Sequence, residues 1–224
     1  MARVIETEQK KKKSKIKGFL ITLLVIALIA GGGFLGWKLL TKEPTKKPAQ
    51  AIVELDNLKE YDYALTDRDS EYFKKEYEVL KEIVNADDID MEQYTSQVAK
   101  MFVIDLYTMN SKVNKYDIGG VEYYHKDKVE MYENKVIDTL YYTLLDNTYG
   151  DRTQELPEVN NVEVLSNTEG TYKLGDNTVK AYVITLNISY VKDMGYDKEA
   201  TVTICQEGDT VRWSVVDIQA KIKK

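Results

Sequence analysis

Three spacings of apolar residues divide this 224-residue chain. From Gly18 to Trp37 the run is continuous, GFLITLLVIALIAGGGFLGW, with no charge and with Thr22 as its one ordinary polar side chain. From about 69 to 145 apolar residues recur at helical intervals, and from about 160 onward they alternate with polar ones. The three regimes predict a membrane span, a helical segment and a set of strands.

The continuous run is long enough to cross a bilayer, because about 20 apolar residues cover a ~30 Å hydrocarbon core. Residues 18–40 are therefore expected to form a transmembrane helix. The run continues through Phe34, Leu35 and Trp37, which favours an uncleaved anchor over a signal peptide cut near Ala30-Gly31-Gly32.

In the helical segment, Asp69 is positioned to cap a helix whose Phe73, Tyr77, Leu80 and Val84 fall at i, i+4, i+7 and i+11. Tyr61, Tyr63 and Leu65 alternate ahead of it and suggest a short leading strand. Asp90 opens a second helix, with Gln93 at the capping-box position. Its stripe is Tyr94, Val98, Met101, Phe102 and Met109, and Val103, Ile104 and Leu106 add apolar surface on other sides, so it should be the most buried helix. A loop around Asn114–Gly120 ends it. A third helix is expected from Lys126 to Leu145, carrying Val129, Tyr132, Val136, Leu140 and Leu144 on one face.

The alternating segment is clearest from Val179 to Val191. There Tyr182, Ile184, Leu186, Ile188 and Tyr190 share one face, the pattern of an antiparallel strand with one side on a core. Turn signals at Gly175-Asp176-Asn177, Met194-Gly195-Tyr196-Asp197 and Glu207-Gly208-Asp209 place strands near 160–167, 179–191, 199–206 and 210–221. The expected fold class is α+β: an N-terminal transmembrane helix, then three helices packed on a curved four-stranded antiparallel sheet. The expected organisation is a basic tail (1–17), the span (18–40), a stalk (41–57) built around TKEPTKKPAQ, and an α+β domain (58–224).

Charge sharpens this layout. Residues 1–48 hold eleven Lys or Arg and three Glu, or +8; set against −6 for the whole chain, this leaves −14 on the remainder. The lysines from Lys10 to Lys17 outnumber those just after the span, so the N-terminus is expected in the cytoplasm and the domain outside the cell membrane. An acidic domain excludes nucleic-acid binding through phosphate neutralisation. Cys205 is the only cysteine, so no intramolecular disulfide forms, which suits a bacterial surface. Gly32 and Gly36 form a GxxxG pair through which two anchors could associate into a homo-oligomer.

The order of three helices followed by four long antiparallel strands, closing on the hairpin TVTICQEGDTVRWSVVDIQ, resembles the nuclear-transport-factor-like, or cystatin-like cone, superfamily. With a basic tail and a single N-terminal span, the layout is similar to the bitopic assembly proteins of bacterial conjugation and type IV secretion systems. The resemblance implies protein partners within an envelope assembly, and it carries over no individual residue.

Candidate chemistry is sparse. A Cys–His pair would require Cys205 to meet His125, the only histidine, and both are better read as a small strand hydrophobe and an exposed residue at a helix entry. Asp87, Asp88 and Asp90 lack the glycine and closing glutamate of a calcium loop. No metal and no cofactor is expected. Asp105 stands out because the apolar stripe of the second helix runs through it; a carboxylate there is either paired or placed in a pocket between helices and sheet. Tyr123, Tyr124 and His125 are the accompanying ligand-binding candidates, among 17 tyrosines in all. The reading is thus a noncatalytic, membrane-anchored scaffold that binds proteins. Its alternative is a pocket-bearing ligand binder or enzyme, with Asp105 and tyrosine hydroxyls converging on a cavity.

Overall fold

A computed structural model describes residues 52–220. The chain begins with a hairpin, β1 (Glu54–Leu58) and β2 (Tyr63–Thr66), whose tight turn places Asp62 at φ 59°. Two helices follow, α1 (Glu71–Val84) and α2 (Met91–Tyr107). After a loop come the 3₁₀ turns Val121–Tyr123 and Lys126–Lys128 and the short α3 (Val129–Asp138). The second half is an antiparallel meander, β3 (Val159–Leu174), β4 (Asn177–Tyr190), β5 (Glu199–Gln206) and β6 (Trp213–Ala220), paired in chain order.

The α+β order expected from the two periodicities is present, with three α-helices and a four-stranded sheet. Three parts of the expected fold are corrected. Among the described residues no helix is long and apolar enough to cross a membrane. The longest, α2, has 17 residues and carries Glu92, Lys100 and Asp105; its apolar surface is spent on the domain's own core. The segment 18–40 that was expected to span the membrane lies outside the described residues, as do the tail 1–17 and the pair Gly32 and Gly36. The single-pass placement, with a cytoplasmic N-terminus and an extracytoplasmic domain, accordingly has no support in the structure. Second, a separate two-stranded sheet precedes the helices, and β1 occupies the last positions of the expected stalk. Third, the pairing of the large sheet defines bulges near Val159, Val164 and Thr203 but does not describe a curved cone.

Local chemistry explains the helix ends. Ser70, one residue after the expected cap, receives the Phe73 amide at 3.1 Å, while Asp69 turns back to accept from the Thr66 amide and hydroxyl. Asp90 caps α2 as expected, accepting from the Glu92 and Gln93 amides. α3 stops at Asp138, short of the expected Leu145. The Tyr141 amide reaches back to the Val136 carbonyl at 2.9 Å, and the chain folds so that Tyr141 and Leu144 still turn inward.

The core lies between the helices and one face of the large sheet. Tyr182, Ile184, Leu186 and Ile188 of β4 are buried, and register sets Ile204, Val202 and Ala200 of β5 beside the first three. From above, α2 buries 11 of its 17 residues. α1 is pinned to it by a polar clasp: the Gln97 amide donates to both the carbonyl and the carboxylate of Glu76, and Lys100 Nζ lies 2.5 Å from that carboxylate. Burial alone would raise the Glu76 carboxyl, but Gln97 and Lys100 together hold it below its usual range.

Much of the rest of the core is aromatic. The Tyr63 hydroxyl donates to the Trp213 carbonyl at 2.9 Å and lies 3.2 Å from the Tyr94 hydroxyl. Its ring stacks on Tyr123 at 4.8 Å, and Tyr124 stacks on Tyr132 at 4.2 Å. The β1–β2 hairpin is thereby fastened to the last strand.

The loop after α2 approaches that helix so closely that a Cβ on Gly119 would lie 2.1 Å from the Asp105 carbonyl oxygen. Gly119→Ala should therefore destabilise the domain by about 3 kcal/mol, the upper range for overpacking. Gly170→Ala, where a Cβ meets nothing within 4 Å, should change stability by under about 0.5 kcal/mol. Urea denaturation of the two variants checks the contrast.

Candidate functional site

Asp105 sits in the last turn of α2, where the loop returns across the helix. Its carboxylate accepts the Gly120 amide and is ion-paired with Lys112, so the pocket carboxylate and the paired carboxylate of the sequence reading are the same group. Burial opposes the charge on Lys112, but Asp105 and then Tyr141 hold its ammonium above the ordinary lysine range. Gly120 adopts φ +79°, and a Cβ there would meet the Phe102 ring and the Tyr132 hydroxyl, so only glycine fits the crossing.

Around this pair lies a cavity of about 290 Å³ between β2, the start of α1, the end of α2 and the following loop. Its charged walls are Arg68, Asp69, Asp105, Lys112, Asp117 and Glu122; Phe73, Ile118 and Val121 supply apolar surface. Arg68 is ion-paired with Asp117, whose carboxylate also accepts the Val113 amide. Burial holds the Asp69 carboxyl above its usual range, against its hydrogen bonds from Thr66 and with help from the Asp105 charge.

Glu122, like Asp69, has no cation of its own. It accepts the Ala64 amide at 3.3 Å and is hydrogen-bonded by the Tyr123 hydroxyl. Burial first, then the Asp105 charge, push its carboxyl up to about 8.

The other expected site residues take different places. Tyr123 is fully buried under Tyr63, and Tyr124 is 5 % exposed between Phe102 and Tyr132. His125 was expected to be exposed but is 3 % exposed: its amide donates to the Val215 carbonyl, and its Nδ1 accepts the Asp127 amide. Cys205 is buried with Ala181 and Val216 on the sheet face away from the main core. No tyrosine lines the Asp105 cavity. The hydroxyls of Tyr132 and Tyr141 instead donate to the Gly119 and Leu106 carbonyls. Among the described residues no group of three His, Cys, Asp or Glu side chains is arranged to hold a metal ion.

A second and larger cavity, about 600 Å³, opens between the end of α2, α3 and the last residues of β6. Leu106, Tyr107, Val136, Leu140 and Ile218 make it mainly apolar, and Lys135, Asp197 and Gln219 add polar groups. The Tyr107 hydroxyl donates to Asp197 at 3.3 Å. This volume lies within the ~300–1,000 Å³ range of ligand pockets. The cavity also borders a sheet edge, because β6 is the terminal strand of its sheet among the described residues: its first half is met by the Tyr63 and Tyr94 hydroxyls at Trp213, by a bridge from Tyr124 at Val215 and by the Tyr124 hydroxyl at Val216, whereas the end at Ile218–Ala220 has no strand beside it. An edge strand presents unpaired amides and carbonyls on that side.

Two outcomes are expected in this region. A carboxyl raised in the folded state binds a proton that the unfolded chain has already lost, so its contribution is complete below about pH 4.5 and is lost as pH rises through about 8. Glu122→Gln should therefore match the parent chain in urea midpoint near pH 5 and exceed it near pH 8.5. Lys112→Met leaves Asp105 buried without its partner and should cost about 3 kcal/mol; adding Asp105→Asn should recover most of the loss. Urea titrations of the single and double variants measure that coupling.

No family model matches the chain, and no curated protein or solved structure matches it.

Proposed function

We propose that this domain is a protein-binding module that holds an extended segment of a partner along the β6 edge, with apolar side chains of that segment seated in the 600 Å³ groove. The observation carrying this reading is the coincidence of a mainly apolar groove with an open sheet edge at Ile218–Ala220. Adding a strand to an edge supplies main-chain hydrogen bonds, and pockets for alternate side chains supply selectivity. Lys135 and Asp197, one of each sign, suit a segment with polar residues flanking its apolar anchors. The residues that sequence reasoning associated with ligands, Tyr123, Tyr124 and His125, serve the core on this reading.

Selection of peptides displayed on phage against the full chain tests the proposal. Enriched peptides should carry apolar residues at alternate positions and should lose at least tenfold in affinity against Leu140→Arg and Thr139→Trp, which charge or fill the groove. Peptides without alternation, or binding unchanged by both variants, would overturn it.

A further inference from the structure

β6 forms one margin of the large sheet, and β3 forms the other. The first half of β3 is covered. The Thr108 hydroxyl accepts the Val159 amide and the Tyr72 hydroxyl the Val162 amide, while the Asn167 side chain donates to Glu92, Thr95 and Ser96 at the start of α2. Beyond Asn167 no hydrogen bond reaches the outer backbone of β3 among the described residues, and Thr168, Glu169, Gly170, Thr171 and Lys173 are all exposed. Which backbone groups face outward follows from β4. The Ile188 amide bonds to Lys198 on the β5 side, so by alternation the odd-numbered residues of β4 turn toward β3. Their partners there are Ser166, Thr168, Gly170, Tyr172 and Leu174. Glu169, Thr171 and Lys173 therefore aim their amides and carbonyls away from the sheet. The end of this hairpin also projects past β5, whose pairing with β4 starts at Ala181. A two-stranded ribbon is marginal by itself, and a third strand stabilises it.

We propose that this edge receives a second copy of the chain, with β3 antiparallel to β3 about a two-fold axis at Thr171. The register sets Glu169 opposite Lys173 of the second copy, and Lys173 opposite its Glu169. These side chains share one face of the joined sheet, and opposite charges directly across a strand pair favour the pairing. Glu169 already lies 2.8 Å from Lys180 on β4, so in the dimer it stands between two lysines. On the other face Gly170 is opposite Tyr172 of the second copy. A Cβ on Gly170 would meet nothing within 4 Å, so the ring has room there, and an aromatic side chain across from an edge glycine strengthens the pair. Sliding the strands by four residues sets Glu169 against itself or Lys173 against itself. Like charges directly opposite are destabilising, so the two charges select the register. The contact is isologous and closes as a dimer, with four strands from each copy in one continuous sheet. Both β6 margins are left at its far ends, free for a partner segment.

Cysteine pairing in the full chain tests the register. Cys205 is buried, so an introduced thiol is the one that reacts. Residues opposite one another in a hydrogen-bonded pair have Cα atoms about 5.5 Å apart, within disulfide reach. Glu169 and its own counterpart would be four residues apart along the strands, about 13 Å, and out of reach. Under mild oxidation Thr171→Cys should give a covalent dimer and Glu169→Cys should not. A mixture of Glu169→Cys chains with Lys173→Cys chains should crosslink again. Adding Glu169→Lys to Thr171→Cys should slow its crosslinking at least tenfold, and adding Lys173→Glu as well should restore it. Leu140→Arg in the separate groove should change none of this. The proposal is overturned if Thr171→Cys and Glu169→Cys crosslink to the same extent, if neither crosslinks, or if the exchanged charges fail to restore the rate. All of these positions are exposed, so the variants keep the fold against which the register is read.

Discussion

The domain depends on one close approach, that of the Gly119-Gly120 backbone to the last turn of α2. Where a Cβ would collide, the loop instead delivers the Gly120 amide to Asp105 and the Gly119 carbonyl to the Tyr132 hydroxyl, while Tyr141 closes over the Leu106 carbonyl. The end of a buried helix leaves carbonyls without helical partners, and here two tyrosine hydroxyls and a glycine pair complete the junction. From this fixed point the chain can leave in only one direction. It sends Glu122 into the cavity, Tyr123 and Tyr124 into the core, and the His125 amide onto β6.

The same junction explains why the two cavities differ in character. On the side of β2 and α1 the crossing brings together charged side chains, because that wall is built from helix ends and loops whose backbone groups need polar company. On the other side, α3 meets α2 through the apolar face of an amphipathic helix that is too short to cover the sheet. Its early end at Asp138 leaves Leu140 beside the end of β6 with nothing packed between them but the groove. A helix running to Leu145, as its sequence spacing suggests, would have presented a longer covering face.

What could be read from the sequence follows from period. The stripe of α2 and the alternation of β4 are long and regular, and both elements lie where their patterns place them. Asp105 could be recognised because a carboxylate inside MFVIDLYTM breaks a stripe. Its partner could not: Lys112 lies seven residues away, beyond the helix end, and is brought back only by the turn at Met109 to Lys112. Glu122 was hidden beside two tyrosines and a histidine, whose rarity drew the chemistry toward them. The Gly119-Gly120 pair, one residue removed from it, was the usable signal of a tight crossing. The alternation of Tyr61, Tyr63 and Leu65 announced β2, whereas its partner β1, five residues of mostly polar sequence, has no period to declare it and was assigned in part to the stalk. The apolar run at 18–40 was the strongest single pattern, yet its structural meaning lies outside the described residues, and none of the helices described crosses a membrane.

The bond from the Tyr63 hydroxyl to the Trp213 carbonyl joins positions 150 residues apart. Contacts this distant in sequence are slow to form, because loop closure costs entropy before the contact returns any stabilisation. During synthesis the aromatic face of the β1–β2 hairpin emerges long before the strand that covers it. The nascent domain must carry Tyr61, Tyr63 and Tyr94 incompletely buried until β6 leaves the ribosome. Completion of the fold thus waits on the emergence of that strand, and a chain cut short before β6 would lack what covers the hairpin's aromatic face.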